Sequence, residues 1–156
     1  MKALVVYDSF FGNTEKIAQA IGAALGSEPD VRVLKVGDVK PEYLAGINAL
    51  VVGSPTRAFS ASPAIKAWLK GLASGSLKGV KVAGFDTRAD LKDVNSRVLT
   101  FLVGILGYAA EPIAARLLKK GGSQAMEPGG FLIVDREGPL KDGELERAAA
   151  WARQML

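Results

Sequence analysis

The sequence predicts an α/β domain of the doubly wound type, in which helices cover both faces of a parallel sheet. Strand-like apolar runs alternate with segments of helical periodicity along the chain, and this alternation favours a parallel sheet joined by crossover helices. The run from Ala49 to Gly53 is continuously apolar and ends at glycine, as is typical of a strand buried on both faces. The 156 residues suit one domain, which we assign to residues 1–156.

The predicted elements follow one another in a regular order. Strands are expected at 3–7, 31–36, 49–53, 80–85 and 131–134. Helices are expected after residue 14, from residue 63, at 109–120 and from about residue 143 to the end, with a short helical turn at 41–44. Ser62 and Asp142 are the expected N-caps of two helices, because their side chains accept hydrogen bonds from first-turn N–H groups. On the last helix we expect the apolar residues Leu145, Ala148, Ala149 and Ala152 to face inward.

The composition narrows the chemistry that the chain can perform. It contains no Cys and no His, which excludes disulfides, thiolate nucleophiles and the commonest acid–base group. We find no convincing pair of catalytic carboxylates and expect no metal site, so a bound cofactor would have to carry a reaction. The net charge of +4 is mild and spread along the chain, which argues against nucleic-acid binding. We expect no membrane span and a cytoplasmic protein.

Three polar loops follow strand ends and are expected to form one binding site. They cover 8–14, 54–62 and 86–93, and ligands of such sheets bind beyond the carboxyl ends of the strands. The first loop offers the hydroxyls of Ser9 and Thr14, with Gly12 at the start of a helix that attracts anions. It lacks the lysine of a triphosphate-binding loop and the G-x-G-x-x-G spacing of dinucleotide folds. A monophosphate site fits best, and a plain turn with two capping residues is the alternative.

The first of these segments resembles the FMN-binding signature of the flavodoxin family. The matching positions are Val5, Val6, Tyr7, Ser9, Gly12, Thr14, Ala18 and Ile21. Three further stretches are similar to members of that family, namely VVGSPTRAFSASPAIKAWL, GFDTR and EGPLKDGELERA. The likeness covers essentially the whole chain, and its first motif is the most specific.

The resemblance implies a flavodoxin-like sheet of five strands in the order 2-1-3-4-5 and one non-covalently bound FMN. It places the phosphate against Ser9, Phe10, Phe11, Gly12, Asn13 and Thr14. It forms one wall of the isoalloxazine site from Pro55, Thr56, Arg57, Ala58 and Phe59. It brings Asp86, Thr87 and Arg88 toward the ring from the next loop.

The chain departs from the family pattern at Phe11, where flavodoxins usually carry a hydroxyl residue before the loop glycine. An aromatic residue there and the Pro-Thr-Arg of the second loop are also features of flavodoxin-like quinone oxidoreductases. Electron-transfer flavodoxins tend to be acidic, whereas this chain has a sequence pI near 9.4.

The roles of four side chains remain open. Arg57 and Arg88 are each either a cation beside the flavin or an ordinary loop arginine. Phe59 either contacts the flavin ring or fills the core of its loop, and Tyr108 is either a ring contact or an interface or core residue.

The segment from Val94 to Leu106 is unusually apolar for its place after the third loop. One interpretation is a buried helix or loop of the domain. The other is an exposed apolar surface for a homodimer or a hydrophobic partner.

Three functions remain open from the sequence. The first is an FMN-binding electron carrier whose partner is a redox protein or a quinone. The second is an FMN-dependent NAD(P)H:quinone oxidoreductase. The third is a flavin-free binding or regulatory domain that retains the fold.

Overall fold

A computed structural model describes residues 1–93 and 96–156, and its centre is a parallel sheet. The strands run in the order β2-β1-β3-β4-β5, and β6 also pairs with β4. Their bounds are β1 Ala3–Tyr7, β2 Val31–Lys35, β3 Ala49–Pro55, β4 Lys81–Ala89, β5 Ser123–Gln124 and β6 Gly129–Ile133. The predicted fold class and strand order are confirmed.

The outer edge beside β4 differs from the prediction, because two short strands share the position expected for one. β5 pairs with the start of β4 through Lys81↔Ser123. β6 pairs with its second half from Phe85↔Gly129 to Ala89↔Ile133. The strand that was not predicted is therefore β5, the first segment of this interrupted edge, which is too short and polar to give a strand pattern in the sequence.

Helices lie on both sides of the sheet and bury two apolar layers. They are α1 Asn13–Leu25, α2 Pro63–Gly71, α3 Arg97–Leu106, α4 Ala110–Lys119 and α5 Glu144–Ala152. Val5 points to the layer formed with α1 and α5, which contains Phe85 and Phe131. Leu4 and Val6 point to the opposite layer, formed with α2 and α4. The period-2 alternation of strand side chains thus fills both layers.

The third predicted loop begins later than expected, because β4 extends to Ala89. Pairing with β6 holds Asp86, Thr87 and Arg88 in extended backbone, opposite Gly130, Phe131 and Leu132. The predicted placement of these residues in a loop is wrong. β3 likewise runs two residues further than predicted, to Pro55.

The start of the last helix also differs from the prediction. Its N-cap is Gly143, at φ 82°, and no side chain caps it, so the expected Asp142 cap is wrong. Glu144 turns inward and is buried, accepting a 2.6 Å hydrogen bond from the Leu132 N–H. With Glu144 in that position the next residue points outward, and Leu145 is 42% exposed rather than inward. Ser62, by contrast, caps α2 as predicted and accepts a hydrogen bond from the Ile65 N–H.

The apolar segment after the third loop forms α3, and no residue of this helix is buried. Of the alternatives given for the segment, burial in the domain is therefore wrong for the described residues 96–106. Val94 and Asn95, at its start, lie outside the described residues. The stretch Arg97–Lys119 is apolar and long enough to cross a membrane by length and composition. The backbone breaks it at Gly107, φ 75°, and α4 buries Ala110, Ile113, Ala114 and Leu117 against the sheet.

Gly84 sets the distance between β4 and α4, and Gly84→Ala tests this close approach. A Cβ at Gly84 would lie 2.8 Å from the Ala110 carbonyl oxygen and 3.0 Å from the Ala114 nitrogen. Because both are backbone atoms, the helix must shift, and we expect a loss of about 1–3 kcal/mol in the free energy of unfolding. Urea unfolding measures the loss. The control Gly71→Ala places its Cβ in open space, and an equal loss there would contradict this explanation.

Candidate functional site

A cavity of about 520 Å³ opens at the carboxyl ends of the central strands. It lies where β1 and β3 lead to opposite sides of the sheet, which is the usual ligand position in such folds. Its walls come from the three polar loops, from α3 and from the segment after β6. The lining residues are Ser9, Phe10, Phe11, Asn13, Thr14, Pro55, Thr56, Arg57, Ala58, Phe59, Thr87, Arg88, Ala89, Leu91, Leu99, Val103, Tyr108, Ile133, Arg136 and Glu137.

Twelve of the fourteen residues proposed from the sequence line this cavity, and two do not. Gly12 has no side chain to offer and lies at the start of α1, where its φ of 88° suits glycine. Asp86 is fully buried beneath the cavity wall. Both support residues that line the cavity rather than lining it themselves.

The sequence did not lead us to the wall formed by Leu99, Val103, Ile133, Arg136 and Glu137. Arg136 and Glu137 follow the fifth predicted strand and Ile133 lies near its end, so the rule that placed the other loops at strand ends would have found them. Leu99 and Val103 have only an i, i+4 spacing, which does not show what a helix faces.

The first loop presents an anion site at the N-terminus of α1. Among the described residues, no acceptor bonds the backbone N–H groups of Asn13, Thr14 and Glu15. The positive end of the helix dipole adds to these free donors. The Thr14 hydroxyl lies beside them, 2.7 Å from the Thr87 hydroxyl, and joins the first loop to β4.

Three hydrogen bonds that involve side chains fix the shape of this first loop. The Asp8 carboxylate accepts from the Ser9 N–H at 3.0 Å, and the Ser9 hydroxyl accepts from the Gly12 N–H at 3.1 Å. The Asn13 side chain donates to the Glu137 carbonyl at 2.7 Å, which ties the loop to the segment after β6. The anion site is therefore held in shape before a ligand binds.

The second loop is a tight hairpin turn with two residues in the left-handed region. Arg57 and Ser60 exchange backbone hydrogen bonds of 2.8 and 3.0 Å across the turn. Ala58 and Phe59, between them, have φ values of 47° and 68°. Such turns favour Asn and Gly at these positions, so the backbone here is strained. The turn directs Phe59 into the cavity wall and places the Arg57 guanidinium 5.1 Å from the Phe10 ring centroid.

Two glycine substitutions in this turn distinguish an effect on stability from an effect on ligand binding. Ala58→Gly relieves the left-handed backbone, and we expect a gain of about 0.5–1 kcal/mol in the free energy of unfolding. Phe59→Gly relieves the same kind of strain but removes an aromatic wall of the cavity. We expect it to keep stability and to weaken binding of the FMN that the sequence resemblance implies, measured by urea unfolding and by fluorescence titration. Equal FMN affinity in both variants would contradict a ring-facing role for Phe59.

Arg88 and Asp86 form an ion pair on β4 at the base of the cavity. The Arg88 guanidinium donates to both carboxylate oxygens of Asp86, at 2.6 and 2.7 Å, and lies 3.6 Å from the centroid of the Tyr108 ring. Asp86 also accepts a 2.9 Å hydrogen bond from the Ala110 N–H at the start of α4. Burial raises the pKa of the Asp86 carboxyl, and the bonds from Arg88 and Ala110 partly offset that rise. Arg88 is therefore a neutralised cation that holds Tyr108 at the cavity.

Comparison with known proteins agrees with this architecture. The sequence model of the family described as Flavodoxin matches residues 5–87, which is more than half of the chain. The chain belongs to the flavodoxin family. The match covers the first loop, the hairpin turn of the second loop, and Asp86 and Thr87 at the start of the third. A search of the curated proteins finds no match to the chain.

Solved flavodoxin structures share the fold over nearly the full length. A flavodoxin from the domain Archaea is 25% identical, with a TM-score of 0.73 over 99% of this chain and 96% of the other. Oxidised Flavodoxin 1 from Bacillus cereus is 16% identical, with a TM-score of 0.74 over 99% and 97%. A flavodoxin, WrbA-like protein from Agrobacterium tumefaciens is 18% identical, with a TM-score of 0.71 over 99% and 94%. The flavodoxin fold and a flavin-binding type of function follow for this chain.

The donors and walls of the cavity fit a flavin mononucleotide. The α1 N-terminus and the Thr14 hydroxyl supply hydrogen bonds for a phosphate. Phe59, Tyr108, Leu99 and Val103 supply apolar surface at a scale suited to a fused ring. The volume lies within the range of small-ligand sites, about 300–1,000 Å³.

Proposed function

We propose that this chain binds one FMN in the cavity and carries electrons between redox partners. The observation that supports this most is the set of free N–H donors at the start of α1, beside a buried hydroxyl and an apolar cavity. Such donors are suited to a phosphate monoester, and the adjoining walls are suited to a planar ring. FMN would supply one- and two-electron redox chemistry. We further propose that the protein acts in the cytoplasm.

The residues of the site would bind, orient and tune the cofactor. The α1 N–H groups and Thr14 would hold the phosphate, while Phe59 and Tyr108 would confine the ring. Arg88 is neutralised by Asp86, so its charge contributes little to the potential in the cavity. Arg57 and Arg136 also line the cavity, and neither makes a salt bridge within the described residues. Of these two, Arg57 lies on the loop proposed to form a wall of the ring site, so we assign to it the cation that favours a reduced, anionic flavin.

Visible spectroscopy of the purified protein tests the proposal. An electron carrier binds added FMN, turns yellow, and is bleached by dithionite but not by NADH. A protein that stays colourless with excess FMN would overturn the proposal and favour a flavin-free binding domain.

A second candidate is an FMN-dependent NAD(P)H:quinone oxidoreductase. Two observations favour it: Phe10 and Phe11 of the first loop are half exposed, and the cavity wall from α3 is apolar. Rapid bleaching by NADH, followed by reoxidation with a soluble quinone, would support this enzyme over the carrier.

Arg57→Ala tests whether this arginine tunes the cofactor. Losing an unpaired cation near the ring should lower the midpoint potential by tens of millivolts, since 30 mV is about 1.4 kcal/mol for a two-electron couple. Spectroelectrochemical titration measures the shift. Arg57→Lys keeps the charge and should restore most of the potential. An unchanged potential in Arg57→Ala would assign Arg57 a purely structural role.

A further inference from the structure

The outer side of α3 is an apolar stripe that nothing in the described part of the chain covers. Val98, Phe101 and Ile105 are 69%, 67% and 65% exposed, and their i, i+3, i+7 spacing places them on one side of the helix. The opposite side, with Leu99 and Val103, lines the cavity. A surface on the outer side of α3 is therefore separated from the cavity by a single helix.

The size of this stripe suits a transient complex better than a stable homodimer. Three or four side chains expose a few hundred Å², comparable to the largest apolar patch of a typical monomer. A stable interface needs about 800 Å² from each partner, whereas weak electron-transfer complexes bury less than about 1,200 Å² in total.

The charges near the cavity indicate which charge the surface of a partner should carry. Arg57 and Arg136 line the cavity, and Arg97 begins α3 two residues before the lining residue Leu99. All three are exposed, and none makes a salt bridge within the described residues. The nearby carboxylates Asp90 and Asp93 are both paired with Lys141, at 2.9 Å. Glu137 is the exposed carboxylate of the cavity lining. One lysine offsets only one of the carboxylates Asp90 and Asp93, so this cluster and Glu137 leave two negative charges against the three arginines, while the exposed Lys92 and Asp135 cancel each other. The rim therefore keeps a small positive excess, in keeping with a net charge of +4.

We propose that the outer stripe of α3 and these three arginines form the docking surface for a redox protein whose own electron-transfer patch is apolar and rimmed by carboxylates. This inference rests on the proposed electron-transfer function and adds the chemistry of the partner. Bound FMN would supply the electrons, and the α3 stripe with the three arginines would hold the acceptor beside the cavity. A membrane surface fits less well, because interfacial helices carry a strongly basic polar face and α3 has only Arg97 as a charged residue.

Two forms of one acceptor test the partner's charge. Cytochrome c has an apolar haem edge ringed by lysines, and succinylation converts that ring to carboxylates around the same haem. Binding of each form to the full chain, with and without FMN, is mapped by ¹⁵N NMR at low and at 150 mM salt. We expect the succinylated form to bind at least tenfold more tightly at low salt, to shift α3 amides, and to weaken as salt rises.

Variants and matched controls locate the surface. Phe101→Ser/Ile105→Ser and Arg97→Glu/Arg136→Glu should each weaken binding of the succinylated form about tenfold. The controls are Leu118→Ser and Arg153→Glu, on exposed residues away from the cavity mouth. Arg153 begins the C-terminal turn, whose Met155 carbonyl contacts Lys81 at the opposite end of β4. The controls should bind as the parent does.

Several results would overturn the proposal. These are equal or tighter binding of native cytochrome c, amide shifts that avoid α3, and a sedimentation dimer abolished by Phe101→Ser/Ile105→Ser. Because the binding test also uses the flavin-free chain, its outcome does not depend on FMN. Failure to bind FMN would overturn the proposed function, whereas failure of the acidic probe with FMN bound would overturn only the docking surface.

Discussion

Thr14→Val is expected to weaken FMN binding about 10- to 100-fold, because a hydrogen bond to a charged group contributes about 1.5–3 kcal/mol. The Thr14 side chain is buried beside the free N–H groups of α1, and its hydroxyl lies 2.7 Å from that of Thr87. Valine keeps the shape of the side chain but removes the hydroxyl. It also leaves the buried Thr87 hydroxyl without this partner. Fluorescence titration of FMN into the flavin-free protein measures the change.

Two further threonine-to-valine variants show whether the effect belongs to the phosphate. Thr87→Val retains the Thr14 hydroxyl, so we expect a smaller loss of FMN affinity than in Thr14→Val. Thr100→Val changes an exposed residue of α3 and should bind FMN as the parent does. Riboflavin, which lacks the phosphate, should bind Thr14→Val and the parent equally. A similar loss for riboflavin would instead indicate general damage to the cavity.

Arg88→Met is expected to lower the free energy of unfolding at neutral pH by about 3 kcal/mol, because it leaves a buried carboxylate without its cation. Asp86 is fully buried, and Arg88 supplies two of the hydrogen bonds on its carboxylate. Urea unfolding at pH 4 to 8 measures the loss. The exposed Arg116→Met on α4 is the control and should cost little.

The pH dependence of Arg88→Met follows from the pKa of Asp86. In the parent, burial raises this pKa above its ordinary value of 3.8. The folded chain therefore holds the proton more strongly than the unfolded chain, and stability from this group falls as pH rises through the folded pKa. Removing Arg88 raises that pKa further, so the deficit should be small near pH 4 and grow with pH. Asp86→Asn/Arg88→Met should abolish the pH-dependent part of the deficit. A deficit independent of pH would contradict this account.

Short-range patterns in the sequence were sufficient for the α/β class and for the three site segments, whereas the strand order and most of the individual cavity residues came from the resemblance to the flavodoxin family. The apolar run of β3 and the turn from Ser9 to Thr14 each carry their own signal. The ion pair of Asp86 with Arg88 had no such signal, since both residues read as polar loop positions until pairing with β6 is known. The same holds for Leu145, whose orientation depends on the Glu144 carboxylate bonding the Leu132 N–H across the layer. The errors thus fall where side chains distant in sequence decide the local structure.

Because α3 has no buried residues, the stability of this helix depends on whether a ligand occupies the cavity. A ten-residue helix is marginal in water by itself, and α3 has the Ser96 cap and the contacts of Leu99 and Val103 to hold it. A ring in the cavity adds contacts to those two side chains only when the helix is formed. By thermodynamic linkage, the ligand shifts the helix–coil equilibrium of α3, and part of the intrinsic binding free energy is spent on that ordering. The apparent binding free energy of the flavin therefore depends on the helix propensity of residues 97–106, because a less stable helix costs more to order.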